Sequence, residues 1–241
     1  MIILTGTIVN TAAIIGGGLI GLTIRKGLTE NMQETLMKAL GIATLFIGLS
    51  GAMCKLLIID DGRLQTAGLM LLVFSLIIGT IGGELINIEH ALVSAGEKVR
   101  VLLNVKQNKN FTETFVTVTI VVCVGAMAII GSFEDGIHND STILFTKSIL
   151  DGVIVMIFAS TMGIGAIFSA APLFIYQAGL SLAAAAIAPY LDDNMVDGLS
   201  AVGSVLIFVV GINLIFGKNM HIRVGNMLPA VVVPIIYYAL F

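Results

Sequence analysis

The sequence predicts an all-α fold, a polytopic transmembrane helix bundle of about eight spans. Three observations carry that prediction. The chain is 57% hydrophobic and only 11% charged, where an ordinary soluble domain carries about 25% charged residues to stay dissolved. Its mean hydropathy is +1.05. Its apolar residues fall into successive runs of about 20, the length a helix needs to cross a hydrocarbon core roughly 30 Å thick.

Eight segments meet that length criterion: 2–24, 36–54, 66–86, 113–133, 148–169, 172–189, 199–217 and 225–241. The first reads as a span and not as a cleaved signal, because Arg25 and Lys26 follow it and no cation precedes it. Between the fifth and sixth only Ala170 and Ala171 intervene before Pro172. Proline suits the first turn of a helix, so this stretch reads as a tight helical hairpin. A kinked or re-entrant element is the alternative, and it would leave seven spans.

With eight spans, Arg25, Lys26, Lys38, Lys98, Arg100, Lys106, Lys109, Lys218 and Arg223 fall on one side, against Lys55, Arg63 and Lys147 on the other. The positive-inside rule makes the richer side cytoplasmic and puts both termini outside. The longest loop, 87–112, is then cytoplasmic. In it Ala91, Leu92, Ala95, Val99, Leu102 and Leu103 recur at helical spacing. That pattern suggests an amphipathic connector on the inner leaflet. A partly helical surface connector explains it equally well.

The entry to the second span, Glu30-Asn31-Met32-Gln33-Glu34, resembles the entry to the seventh, Asp193-Asn194-Met195-Val196-Asp197. At the same offset Leu36 matches Leu199 and Gly48 matches Gly211. The two spans run in opposite directions in an eight-span topology, so the match suggests an inverted-topology repeat of spans 1–3 and 6–8, a common plan of secondary transporters. The chain would then divide into a first repeat-like unit (1–86), the connector (87–112), a central hairpin (113–169) and a second repeat-like unit (172–241).

A polar group in hydrocarbon must face a partner, water or a ligand. Few lie within the spans. Asn10, Gln177, Asn213 and Asn226 are candidates for a neutral substrate or ion site, although such amides more often serve as interhelical hydrogen-bond donors and acceptors. Gln177 and Asn213 are the better placed by depth, and Asn226 near its span's end also suits a helix cap. Glu134, Asp135 and Asp151 are candidates for attracting a cation at an outer mouth. Lys147 and Asp151, four apart on one helix face, are expected to form a structural ion pair. The Gly16–Gly18 run and Gly21 favour close helix packing, and the run is also the better place for a helix break.

No enzymatic set is present. His90, His138 and His221 fall in loops on different sides, and neither Cys54 nor Cys123 sits in a ligand pattern. No catalytic, metal or cofactor site is expected, and no basic block points to nucleic acid.

Four stretches together resemble a known family: Gly6-Thr7-Ile8-Val9-Asn10, Gly83-Glu84-Leu85-Ile86-Asn87-Ile88-Glu89, the run from Val122 to Ser132, and Arg223-Val224-Gly225-Asn226-Met227-Leu228-Pro229-Ala230. The chain resembles, over essentially its whole length, the YqgA/YdfK-like family of uncharacterised bacterial integral membrane proteins. Phe133 stands where an aliphatic residue is expected. The resemblance implies a bacterial plasma-membrane protein often assigned to transport, and it brings no substrate or catalytic residue. The resulting expectation is a small secondary transporter or facilitator of a solute or ion, embedded in the bilayer as a homo-oligomer. An ion channel is the alternative, as is a non-transporting scaffold or sensor that binds a partner through the 87–112 helix.

Overall fold

The computed structural model describes residues 4–27, 29–60, 62–102, 111–123, 126–187, 190, 192–220 and 222–240. The chain is an all-α polytopic bundle. Its helices are α1 (Thr5–Arg25), α2 (Glu30–Leu56), α3 (Leu69–Ile86), α4 (Ile88–Leu102), α5 (Phe111–Cys123), α6 (Ala126–Ile137), α7 (Thr142–Thr161), α8 (Ala170–Ile187), α9 (Asp193–Phe216), α10 (Val224–Met227) and α11 (Val233–Leu240). Short 3-10 turns occupy Ile164–Ser169, Gly217–Met220 and Leu228–Val232. Among the described residues, six helical stretches are long and apolar enough to cross a bilayer: Thr5–Arg25, Glu34–Leu56, Leu69–Ile86, Thr142–Thr161, Ile164–Ala184 and Asp193–Phe216. The pair Phe111–Cys123 and Met127–Ile137, bent by 61°, makes a seventh if it is one span. Val224–Leu240 is apolar but shorter. Of the loop expected to be amphipathic, residues 88–102 form α4. Leu103, Lys106 and Lys109 lie outside the described residues, as do Asp61, Val124, Gly125 and His221.

Three local features differ from the sequence reading. The loop after α2 forms a hairpin, β1 (Leu57–Asp60) paired antiparallel to β2 (Arg63–Thr66), with Asp60 opposite Arg63. Asp-Gly between two apolar runs favours a two-residue turn with positive φ, and Gly62 has φ of 71°. Helix α7 starts at Thr142, not at 148, because Thr142-Ile143-Leu144-Phe145 continues the apolar helix upstream of Lys147. Helix α1 runs unbroken through Gly16–Gly18. The interruptions fall elsewhere, at Gly163, whose φ is 104°, and at the Pro229 turn that splits α10 from α11.

Contacts divide the chain into two compact units that cut across the sequence segments. One comprises residues 1–40, 92–123 and 127–188, the other 41–91, 124–126 and 189–241.

In the first unit α1 and α7 run parallel, with Gly6 against Leu144, Gly17 against Gly152 and Gly21 against Met156 and Ala159. Lipid supplies no hydrophobic drive to helix pairing, so backbones must approach closely for dispersion to hold them. A methyl at Gly17 would lie 2.9 Å from the Gly152 carbonyl carbon and closer to its oxygen. At the far end of the pair the Arg25 guanidinium donates to the Thr161 carbonyl at 2.6 Å, which satisfies one of the acceptors a helix C-terminus leaves free. Helix α6 closes on α8 where Gly136 meets the Ser181 backbone.

In the second unit α2 from Gly41 onward runs antiparallel to α9. Gly48 meets the backbone of Ser204 and Phe208, and Gly211 meets that of Gly41 and Leu45. Helix α3 lies against the broken terminal segment, with Gly79 on Ala230 and Gly83 on the Asn226 carbonyl. Lys55 pairs with Asp197 at 2.5 Å.

Candidate functional site

Among the first unit's buried polar side chains, seven from α1, α6, α7 and α8 mark out a path. Helix α1 contributes Thr7 and Asn10, one turn apart. Helix α7 contributes Lys147 and Asp151, and α8 contributes Gln177 and Ser181, each pair four apart and so on one helix face. Asp135 comes from α6. All seven are at most 7% exposed.

Hydrogen bonds join the centre of this path, from Lys147 through Asp151 and Asn10 to Gln177, and a separate set holds Asp135. Lys147 Nζ donates to Asp151 Oδ1 at 2.8 Å, to Asp151 Oδ2 at 2.6 Å and to the Val122 carbonyl at 2.9 Å. Those three bonds use all three ammonium donors. Val122 lies in the last turn of α5, where carbonyls lack intrahelical partners. Asn10 Nδ2 donates to Asp151 Oδ2 at 3.0 Å and, more weakly, to Gln177 Oε1 at 3.4 Å. Asp135 Oδ1 accepts from the Gly6 N–H at 3.3 Å and from the Ser141 hydroxyl. Asp135 therefore ties the start of α1 to the start of α7.

Part of the polar capacity is unmet. Thr7 Oγ1, Asn10 Oδ1, Asp135 Oδ2, Gln177 Nε2 and Ser181 Oγ are buried with no hydrogen-bond partner among the described residues. Burying such a group unpaired costs about 1–3 kcal/mol, so five on one path are an expensive arrangement for a purely structural core. The Lys147–Asp151 pair argues the same way: its desolvation offsets most of the Coulomb attraction, and a hydrophobic pair often does as well for stability.

The residues singled out from sequence divide between several places. Asn10, Gln177 and Asp151 come together, and the Lys147–Asp151 pair forms at 2.6 Å. Asp135 joins the buried path and is 1% exposed, so it lines no open mouth. Glu134 instead pairs with His138 at 2.7 Å, and both side chains are substantially exposed. Asn213 belongs to the other unit. Its Nδ2 donates to the Ile222 carbonyl at 2.7 Å and its Oδ1 accepts the Ile222 N–H at 2.9 Å, so the amide is spent closing the turn after α9.

Asn226 is also in the second unit. Its Oδ1 accepts the Glu89 N–H at 2.7 Å, while Glu89 Oε2 accepts the Gly225 N–H at 3.0 Å. Arg223 meets Glu84 at 3.1 Å. The Gly83–Glu89 and Arg223–Ala230 stretches are thus two halves of one interlocked junction.

Sequence reasoning missed Thr7, Ser181 and the burial of Lys147. Thr7 precedes Asn10 by three residues and Ser181 follows Gln177 by four, so helical spacing carried that signal. A charge marks a span boundary on sequence alone, which puts Lys147 in a loop, whereas the structure places it inside α7. Its place inside α7 removes it from the loop charges.

A helical bundle of membrane-spanning length with a buried, charged and incompletely satisfied polar centre defines a polytopic membrane protein. The chain belongs to the family described as "Protein of unknown function (DUF554)", whose model matches residues 5–239. It is similar to the "Uncharacterized membrane protein YdfK" of Bacillus subtilis (strain 168), 30% identical over 95% of this chain and 93% of the relative. It is also similar to the "Uncharacterized protein YqgA" of Escherichia coli (strain K12), 31% identical over 93% of this chain and 92% of the relative. No solved structure matches it.

Proposed function

We propose that the protein is a small secondary transporter or facilitator of a solute or ion in the bacterial plasma membrane. The observation that carries this reading is the unmet hydrogen-bond capacity of Asn10, Gln177 and Ser181 beside a buried ion pair. Intramembrane ionisable groups are costly, and their common uses are substrate and ion pathways. The centre formed by Asn10, Gln177 and Asp151 offers a carboxylate, an amide acceptor and an amide donor to a small polar ligand or monovalent ion.

The inverted repeat of spans 1–3 and 6–8 belongs to the same proposal, and α2 with α9 supports it. Any antiparallel helix pair has a local two-fold axis. What is not automatic is its register. Gly48 lies against the Ser204 oxygen (2.6 Å to an added Cβ) and the Phe208 backbone, and Gly211 against the Gly41 oxygen (2.8 Å) and the Leu45 backbone. The axis that exchanges these contacts maps Gly48 onto Gly211, the same offset that relates Asn31 to Asn194 in sequence. The positive-inside reading orients the protein with both termini outside and α4 in the cytoplasm. We further propose that it works as a homo-oligomer.

Substrate screening by thermal shift on the purified protein tests the reading. A ligand at about 100 times its dissociation constant stabilises the fold by roughly 2.7 kcal/mol. The shift is expected to vanish in Asn10→Leu and Gln177→Leu, and uptake of the same ligand into proteoliposomes with it. Uptake at the wild-type rate in both variants removes the centre from the pathway. Acceleration of uptake by preloaded substrate separates a carrier from a channel.

A further inference from the structure

We propose that Asp151, Asn10 and the Val122 carbonyl form a binding site for an alkali cation, in which the Lys147 ammonium is a tethered occupant that a free cation displaces.

The argument begins with the oxygens. Lys147 Nζ lies 2.6 and 2.8 Å from the two carboxylate oxygens of Asp151 and 2.9 Å from the Val122 carbonyl. Asn10 donates to that same carboxylate through Nδ2, and its Oδ1 is buried without a partner. A carboxylate, a carbonyl at a helix end and an amide oxygen are the ligand types that hard cations take. Helix ends exposing carbonyls inside a membrane coordinate Na+ in known transporters. The ammonium therefore sits on two of the three donor groups a sodium ion would use, and the third, the Asn10 amide oxygen, belongs to a residue bonded to the same carboxylate.

Charge supplies the second line. Among the described residues, the buried Asp, Glu, Lys and Arg side chains of this unit are Asp135, Asp151 and Lys147. The set holds two carboxylates and one ammonium, so one added monovalent cation neutralises it. That balance holds only if the ammonium moves. A cation added beside the intact Lys147–Asp151 pair would leave a bare positive charge in a low dielectric.

Asp135 gives the ammonium a second partner. Its Oδ2 is buried and unpartnered, and its Oδ1 is bonded to Ser141. Ser141 precedes α7 by one residue and Lys147 by six, about 9 Å along the axis. Helical side chains lean toward the N-terminus, so Lys147 freed from Asp151 turns toward the Asp135 end. The displaced state has the cation on Asp151 and the ammonium on Asp135. This inference rests on the transport reading for its purpose but is tested by binding alone.

The test compares purified full-length protein in NaCl, LiCl, KCl and choline chloride at equal ionic strength, reading the thermal midpoint and the binding of radiolabelled Na+. In the wild type an alkali ion is expected to raise the midpoint above that in choline. Lys147→Met and Lys147→Gln remove the tethered competitor, so apparent affinity should rise by roughly tenfold or more, and Asp151→Asn should abolish it. Asp135→Asn should weaken cation binding when Lys147 is present, while Lys147→Met with Asp135→Asn keeps it.

Three results overturn the proposal: no difference between alkali and choline salts in the wild type and both Lys147 variants, retention of binding in Asp151→Asn, or failure of both Lys147 variants to fold in every salt. The last counts because a free cation must be able to replace the ammonium. Solute uptake that persists alongside any of these three results leaves the transport reading standing without the cation site.

Discussion

Gly16 and Gly17 are neighbours on α1 with opposite surroundings, and alanine at each makes a matched experiment. A methyl at Gly16 has nothing within 4 Å, whereas one at Gly17 lies 2.9 Å from the Gly152 carbonyl carbon. Ordinary contact begins at 3.4 Å, so α1 and α7 must part by about 0.5 Å or more, and the obstacle is backbone that no rotamer change can clear. Helix propensity favours alanine over glycine by about 0.8–1.0 kcal/mol at both sites. Gly16→Ala should therefore stabilise by up to about that amount.

At Gly17 the same gain is set against an overpacking cost of about 1–3 kcal/mol. The difference between the two variants is thus about 1–3 kcal/mol, with Gly17→Ala the weaker. Reversible unfolding in mixed micelles, followed by far-ultraviolet circular dichroism, measures it. The parted seam also carries the Asn10–Asp151 bond, so Gly17→Ala should impair ligand binding where Gly16→Ala does not. Equal stability of the two variants would falsify the close-approach account of this seam.

Removing one half of the buried pair, as in Asp151→Ala, strands the Lys147 ammonium and should cost about 3–5 kcal/mol, while Lys147→Met combined with Asp151→Leu should be close to neutral; a double-mutant cycle measures both. Asn213→Ala loses two bonds to the Ile222 backbone, an expected cost of about 1–3 kcal/mol at roughly 1 kcal/mol each plus any unpaired peptide group, read as a lower unfolding midpoint. Asp140 lies outside the spans, and hydrogen bonds from the Thr142 hydroxyl and N–H hold its carboxyl below the ordinary aspartate range. Its folded form thus binds protons less readily than its unfolded form. The stability it contributes is full above about pH 4 and fades as pH falls through the lower folded value. A Thr142→Ala variant should show less of this acid-side loss, in a titration of unfolding midpoint against pH.

How much of this was legible in sequence depends on what kind of residue carried the information. The spans were read from apolar length alone, a one-dimensional property that hydrocarbon thickness imposes on any crossing helix. The same criterion misplaces the start of α7, because a charge such as Lys147 ordinarily belongs to water and so marks a boundary. It stays inside because Asp151, one turn on, and the Val122 carbonyl, twenty-five residues back, take its three protons. The first partner was visible as a spacing of four. The second depends on where α5 ends, which no local pattern specifies.

Asn10, Gln177 and Asn213 make the point from the other side. As isolated amides in apolar runs they differ only in depth, which favours Gln177 and Asn213, and each has the same capacity of two donors and an acceptor. Asn213 closes a turn nine residues away in its own chain, so its capacity is met locally. Asn10 and Gln177 meet across 167 positions at 3.4 Å and leave Oδ1 and Nε2 unmet. Buried polar capacity becomes evidence for function only after its partners are counted. Here the counting separates an amide whose capacity is met by its own turn from two whose capacity is only partly met among the described residues.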